Sequence, residues 1–268
     1  MRAAESTPQT LLVALGVVLF CSVMVSTTVE LLRPVQLAYK QIDRNRVVVK
    51  VTGLASAGEE LSDREIVDRF RELEVRAVDL ADGRFTNAVD PLTYDQRAAV
   101  EHPELSVAIE SSKDIAGLGR RARYALVYVL SDGQSVRRIT LPVHGRGMWS
   151  TIYGYITLDG DMTTVTDIMF FEHGETPGIG DQIESPAWRA SWLGKLIYDD
   201  NGKPAIAAAP APAAGPAERH RVDAIAGATL TVNGAMNAVL YWLGEDGFGP
   251  FLKQLRSTHA QAAHLSRE

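Results

Sequence analysis

The sequence predicts an α+β fold, antiparallel hairpins with packed helices, preceded by one N-terminal transmembrane helix. Three observations carry that prediction. An uncharged apolar run opens the chain, β-rich segments come in pairs around tight turns, and helical spacing appears in separate stretches. Regular alternation of single strands with helices would have pointed to a parallel, doubly wound sheet instead.

Each element has its own reason. Leu11–Val29 is a run of about 19 residues without a charge, close to the length that crosses a hydrocarbon core. Glu30, Arg33 and Pro34 close it, giving a tail at 1–10, a span at 11–32 and one domain over 33–268. A retained anchor fits better than a cleaved signal peptide, because Glu5 opposes Arg2 and no small-x-small site follows. Bulky Phe20 before Cys21 speaks against a lipoprotein signal. Arg46–Val51 reads either as a continuation of the anchor helix or as the start of a strand. Ser62-Asp63-Arg64-Glu65 is a capping box, and the helix behind it would bury Ile66, Phe70 and Leu73.

Tyr124–Leu130 and Ser135–Leu141 flank Ser131-Asp132-Gly133 as one hairpin. Trp149–Leu158 and Thr163–Phe171 flank Asp159-Gly160 as a second. Ser185-Pro186 places a capping serine before a proline at the first helical position, with Trp188, Trp192 and Leu193 expected to face inward. The stretch from Lys203 to Ala217 is rich in Ala and Pro, so an exposed, extended loop at 204–217 is expected inside the domain. Val232, Ala235, Met236, Val239, Leu240 and Leu243 then recur at helical spacing, and Gly244 supplies the stop.

Composition excludes several classes. A net charge of −6 lacks the basic footprint of a nucleic-acid binder. A single cysteine, Cys21, excludes an internal disulfide framework and a self-contained four-cysteine cluster. His173 beside Glu172 and Glu175 reads as a solvated loop rather than a metal site, and no metal is expected. Nothing matches the Gly-rich fingerprint of a nicotinamide-binding fold.

The most informative stretch is Asp223–Thr231, directly before the amphipathic helix. The first backbone N–H groups of a helix have no partner within it, and the helix dipole favours negative charge there. Gly227 permits close backbone approach, Ala228 adds no bulk, and Thr229 offers a hydroxyl. Taken alone, the stretch reads more simply as a plain helix start with Thr229 or Thr231 as N-cap.

Asp223-Ala224-Ile225-Ala226-Gly227-Ala228-Thr229 resembles the flavinylation motif Asp-x-x-Ser/Thr-Gly-Ala-Thr of the FMN-binding domain family, departing from it at Ala226. The resemblance implies that Thr229 carries FMN through a phosphoester and that a flavin transferase reads Asp223, Gly227 and Ala228. It also implies FMN contacts from Gly227 and Ala228, from Glu175, Thr176, Gly178 and Ile179 in the 175–180 loop, and from Trp149 and Tyr153. Extended by Trp149–Gly154, Pro186–Arg189 and Gly247–Leu252, the similarity covers nearly the whole chain. It is to the FMN-carrying subunits of Na+-translocating NADH:quinone reductases.

What this implies is an electron relay within an inner-membrane complex, without a catalytic residue of its own, passing electrons between redox centres of neighbouring subunits. The resemblance puts the main domain on the periplasmic side. Arg33, Lys40, Arg44, Arg46 and Lys50 after the span favour the cytoplasm by the positive-inside rule. Three other readings remain open at this point: the flavin-bearing subunit of an Rnf-type electron-transport complex, a stand-alone flavin reductase, and a membrane-anchored binding module without flavin.

Overall fold

The computed structural model describes residues 7–56, 58–133, 135–209 and 215–265. The chain divides into two compact units, meeting in sequence between Asn45 and Arg46.

Helix α1, Thr7–Val51, runs unbroken through Pro34. From Leu11 to Leu37 its large apolar side chains are 46–73 % exposed, so they belong to no protein core among the described residues. Length and apolarity suit this helix to cross a membrane once. Its last turns change character, because Val48, Val49 and Val51 are buried in the second unit. Arg46–Val51 therefore continues the helix and does not begin a strand. Helix α2, Asp63–Phe70, has the expected capping box at Ser62 and Glu65. It buries Ile66, while Leu73 is buried just beyond its end.

Ten strands follow in chain order: β1 Glu74–Asp79, β2 Arg84–Thr86, β3 Ser106–Ala108, β4 Arg120–Ala122, β5 Tyr124–Asp132, β6 Ser135–Arg146, β7 Thr151–Asp159, β8 Val165–Glu172, β9 Ala207–Ala209 and β10 Arg221–Asp223. Six of them form an antiparallel sheet in the order β2-β1-β5-β6-β7-β8. The two hairpins expected from turn chemistry are β5–β6 and β7–β8, and β6 pairs with β7 to make them continuous.

Side chains alternate across this sheet, so each strand feeds two cores. Val127, Val129, Ile139, Leu141, Ile156 and Leu158 join the main core with helix α4, Thr229–Trp242. Tyr128 and Tyr155 point the other way and pack with Val48, Val51 and Leu73. Helix α5, Gly249–Leu265, adds Phe251 and Leu252 to the main core.

Three expectations need correction. Helix α3, Pro186–Ala190, is capped by Ser185 and buries Trp188, and Trp192 beyond it is also buried, but Leu193 is 51 % exposed. The helix ends before residue 193, so the inward periodicity ends with it. The Ala/Pro-rich loop is not wholly exposed either: β9 pairs in parallel with β10, and Ile206 and Ala209 are buried. Residues 210–214 of that loop, and 1–6 of the N-terminal tail, lie outside the described residues. His173 is the third, and belongs with the site below.

Candidate functional site

Helix α4 reaches its position because two glycines remove side chains where helix and sheet meet. A Cβ on Gly234 would stand 2.5 Å from the Arg146 carbonyl oxygen, and one on Gly145 would stand 2.9 Å from Ala238 Cβ. The helix thus lies directly on the corner between β6 and β7, and its first turn projects beside residues 147–150.

The segment leading into α4 is fixed from α3. Trp188 Nε1 donates to the Asp223 carbonyl at 2.8 Å, and the Asp223 N–H donates to Ser191 Oγ at 3.3 Å. The Asp223 residue itself is exposed. Gly227 then takes a φ of 80°, in the left-handed region that side chains resist. Ala228 is the N-cap residue and offers no side-chain cap. The first N–H groups of the helix are therefore left for water or a ligand. Thr229, the first helical residue, is exposed, with its hydroxyl free of any cap role.

Thr231, two residues on, is 2 % exposed, and its hydroxyl donates to Glu175 Oε2 at 2.5 Å. The Glu175 carboxylate also accepts from the N–H groups of Met148 (3.1 Å), Trp149 (3.0 Å) and Ser150 (3.3 Å). Glu175 is itself only 4 % exposed. Burial pushes its pKa upward, but the Thr231 hydroxyl and the three amides outweigh that, and the net displacement is below the ordinary 4.5. One charged carboxylate joins the β6–β7 corner, the 174–180 loop and the first turn of α4.

That loop is a tight turn. The Thr176 carbonyl accepts from the N–H groups of Ile179 (3.2 Å), Gly180 (2.8 Å) and Asp181 (3.3 Å), and Gly178 takes a φ of 77°. Trp149 Nε1 donates to Thr176 Oγ1 at 3.1 Å. Ile179 meets the motif itself, its Cγ2 lying 3.6 Å from where a Gly227 Cβ would be. His173 is not solvated as expected: its side chain is 7 % exposed, Nδ1 accepts from the Glu175 N–H, and Nε2 lies 2.9 Å from Glu184. It is a strut of the loop that carries Glu175. No cluster able to hold a metal occurs among the described residues.

The structure therefore brings together Thr229, Gly227, Ala228, Glu175, Thr176, Gly178, Ile179 and Trp149. Tyr153 is placed elsewhere, on the sheet face opposite Ile152. It stacks on His144 at 5.4 Å, with the Arg97 guanidinium 3.6 Å over its ring. Thr231, Met148, Ser150 and Leu230 were not singled out as contact residues by sequence. Their signal lay in Glu175, since an acid next to a strand end must find donors if the fold buries it.

The donor set suits a planar apolar group with an anionic tail. Trp149 is 66 % exposed, Leu230 61 %, Met148 47 % and Ile179 45 %, an uncovered apolar surface around free helix N–H groups and an exposed hydroxyl.

Comparison with known proteins agrees. The FMN-binding domain family model matches residues 147–244, the interval that holds every residue of this cluster. The class the fold and site define is thus an FMN-binding domain behind a single N-terminal apolar helix. The NqrC subunit of the Na(+)-translocating NADH-quinone reductase of Pseudomonas aeruginosa is 41 % identical over 264 residues, covering 97 % of this chain and all of the relative. The corresponding protein of Yersinia pestis is 40 % identical over 259 residues, 95 % of each chain. The crystal structure of Shewanella oneidensis NqrC superposes with a TM-score of 0.71 at 32 % identity, over 82 % of this chain and 99 % of that one. The chain belongs to the NqrC family, the FMN-binding subunits of Na+-translocating NADH-quinone reductases.

Proposed function

We propose that this chain is the electron-relay subunit of a membrane Na+-translocating NADH:quinone reductase, carrying FMN as a phosphoester on Thr229. The observation that carries the reading is the contrast at the start of α4. Thr229 is exposed and takes no part in capping, whereas the neighbouring Thr231 hydroxyl is buried and engaged.

A flavin transferase would make the bond. Thr229 Oγ1 attacks the FMN phosphorus of FAD, an Oγ1–P bond forms, the bond to AMP breaks, and AMP leaves as the hydroxyl proton is lost. Covalent attachment suits a domain on the periplasmic side, the face we assign to it. A micromolar complex, about 8 kcal/mol, would empty on dilution, and a phosphoester would not.

Flavin, once attached, supplies the electron transfer. The chain's own part is binding and orientation. The N–H groups at the start of α4 would hold the phosphate, and Gly227 would let the backbone approach it. Trp149, Ile179 and Leu230 offer the apolar surface for the ring, and Thr176, held by Trp149, fixes the loop edge. Electrons would arrive from and leave to centres in neighbouring subunits.

The test is the full chain co-expressed with a flavin transferase. Thr229→Ala should abolish the flavin mass on the intact protein and stop NADH-driven quinone reduction in membranes. It should change folding stability by less than about 0.5 kcal/mol, since no cap is lost. Flavin mapped to another residue would overturn the assignment. C-terminal alkaline phosphatase and green fluorescent protein fusions report the side, and a fluorescent, phosphatase-silent fusion would overturn the periplasmic placement.

A further inference from the structure

We propose that Glu175 and Thr231 form a latch that selects and presents Thr229, so that Glu175 is a positioning residue for flavin attachment rather than a ring contact. The inference rests on the reading of Thr229 as the acceptor and explains why it is Thr229.

The geometry has two consequences. All four donors on the Glu175 carboxylate belong to the protein: three successive amides and the Thr231 hydroxyl. With both oxygens engaged and the residue 4 % exposed, the carboxylate has no face left for a flavin. The Thr231 hydroxyl is in turn out of reach of a modifying enzyme, because it is 2 % exposed and turned inward to Glu175. Of two threonines two positions apart, the fold leaves one hydroxyl for modification.

The same bond sets the angle of the first helical turn. Gly180 shows how closely these parts are fitted, since a Cβ there would stand 2.9 Å from Glu175 Cβ and 3.1 Å from Thr231 Oγ1. Thr231 is held from one side while Ala228 offers no side-chain cap at the helix end. The position of the Thr229 hydroxyl relative to the 174–180 loop therefore follows from the latch. A small displacement of a reacting group costs rate well before it costs folding.

The experiment measures flavin transfer onto the purified, unmodified full chain in detergent, with purified flavin transferase and FAD. Intact mass is followed against time, and thermal unfolding is recorded separately. Thr231→Val removes the hydroxyl at nearly constant shape and should slow modification of Thr229 by about tenfold or more. Thr231→Ser should restore the rate to within about twofold. Glu175→Gln should match Thr231→Val, and the double variant should be no slower than the slower single one, because both break one latch.

A buried residue outside the latch separates positioning from stability. Val232→Ala, which truncates a side chain 2 % exposed on the same helix, should lower the unfolding midpoint yet leave the transfer rate within about twofold. Thr229→Ala should gain no flavin on Thr231. Wild-type transfer rates in Thr231→Val, equal slowing in Val232→Ala, or flavin on Thr231 in Thr229→Ala would each overturn the latch. Failure of the wild-type chain to take flavin on Thr229 would overturn the underlying reading instead. If Glu175→Gln does not fold, the Thr231 pair decides alone.

Discussion

Helices α1 and α4 are both apolar, and they use that character in opposite ways. From Leu11 to Leu37 the apolar side chains of α1 are 46–73 % exposed, around the whole helix. In α4, Val232, Ala235, Met236, Ala238, Val239 and Trp242 are each 5 % exposed or less. The same free energy of leaving water, about 25 cal/mol per Å² of apolar surface, therefore acts between chain and membrane in one helix and within the fold in the other. Composition alone does not separate the two cases. Small residues do: Gly234 and Ala238 in α4 meet backbone and side chain at closest approach, while a Cβ on Gly16 in α1 would meet nothing within 4 Å.

Placing a charge on each helix should break the comparison most sharply. Val239→Lys buries an unpaired ammonium in the main core, a change of several kcal/mol, and the domain should fail to fold while the chain stays with the membrane. Leu19→Lys should leave the domain folded and weaken insertion by about 3 kcal/mol, read as release of the chain on alkaline carbonate extraction. If Leu19→Lys instead unfolded the domain, the exposed face of α1 would be packing against protein. Glycines give the next largest effect. Gly234→Val should cost about 3 kcal/mol or more in denaturant unfolding, because backbone stands where its Cβ must go. Gly16→Val should change the same measurement by less than about 0.5 kcal/mol.

What was legible in the sequence follows the same division between local and non-local causes. The capping box at Ser62, the serine–proline start at Ser185, the two hairpins and the stripe of α4 depend on neighbours in sequence, and all formed as read. Strand β2 is three residues long, and β1 carries charge at Glu74, Arg76 and Asp79, so neither shows a period of two strong enough to detect. Strand β9 is three alanines, a poor strand former that pairs only because β10 lies alongside it. The unusual helix start at Gly227-Ala228-Thr229 was readable because a short backbone segment carries it. Glu175 was readable as part of a loop, but its inward turn was not, since the donors at 148–150 and 231 come from two other segments. Leu193 and His173 were misread for one reason: burial at the end of a short helix or loop is decided by what packs over it.

The smallest effect sharpens the comparison at the start of α4. No acidic residue occurs in the first turn of α1, so acid should not act there, whereas α4 is held through the charged form of Glu175. The Glu175 pKa is depressed in the fold below 4.5: burial works against this, and the Thr231 hydroxyl and the amides of Trp149, Met148 and Ser150 overcome it. A depressed carboxylate contributes stability that is complete above the unfolded value near 4.5 and is lost as pH falls through the lower folded value. Thr231→Val removes one of the four donors, so at pH 7 the variant should be less stable by about 1.5–3 kcal/mol, the range for a hydrogen bond to a charged group. The gap between the two proteins should narrow as pH falls through the folded value below 4.5, where the wild-type carboxylate gains its proton and the bond loses its charge. Glu59, Glu65 and Asp199, whose pKa values are also lowered, titrate in both proteins and cancel in the difference. Denaturant unfolding of wild type and variant between pH 7 and about pH 3 measures it. A gap constant across that range would mean that the Thr231 hydroxyl contributes by filling space, and that the charge on Glu175 is held by the three amides alone.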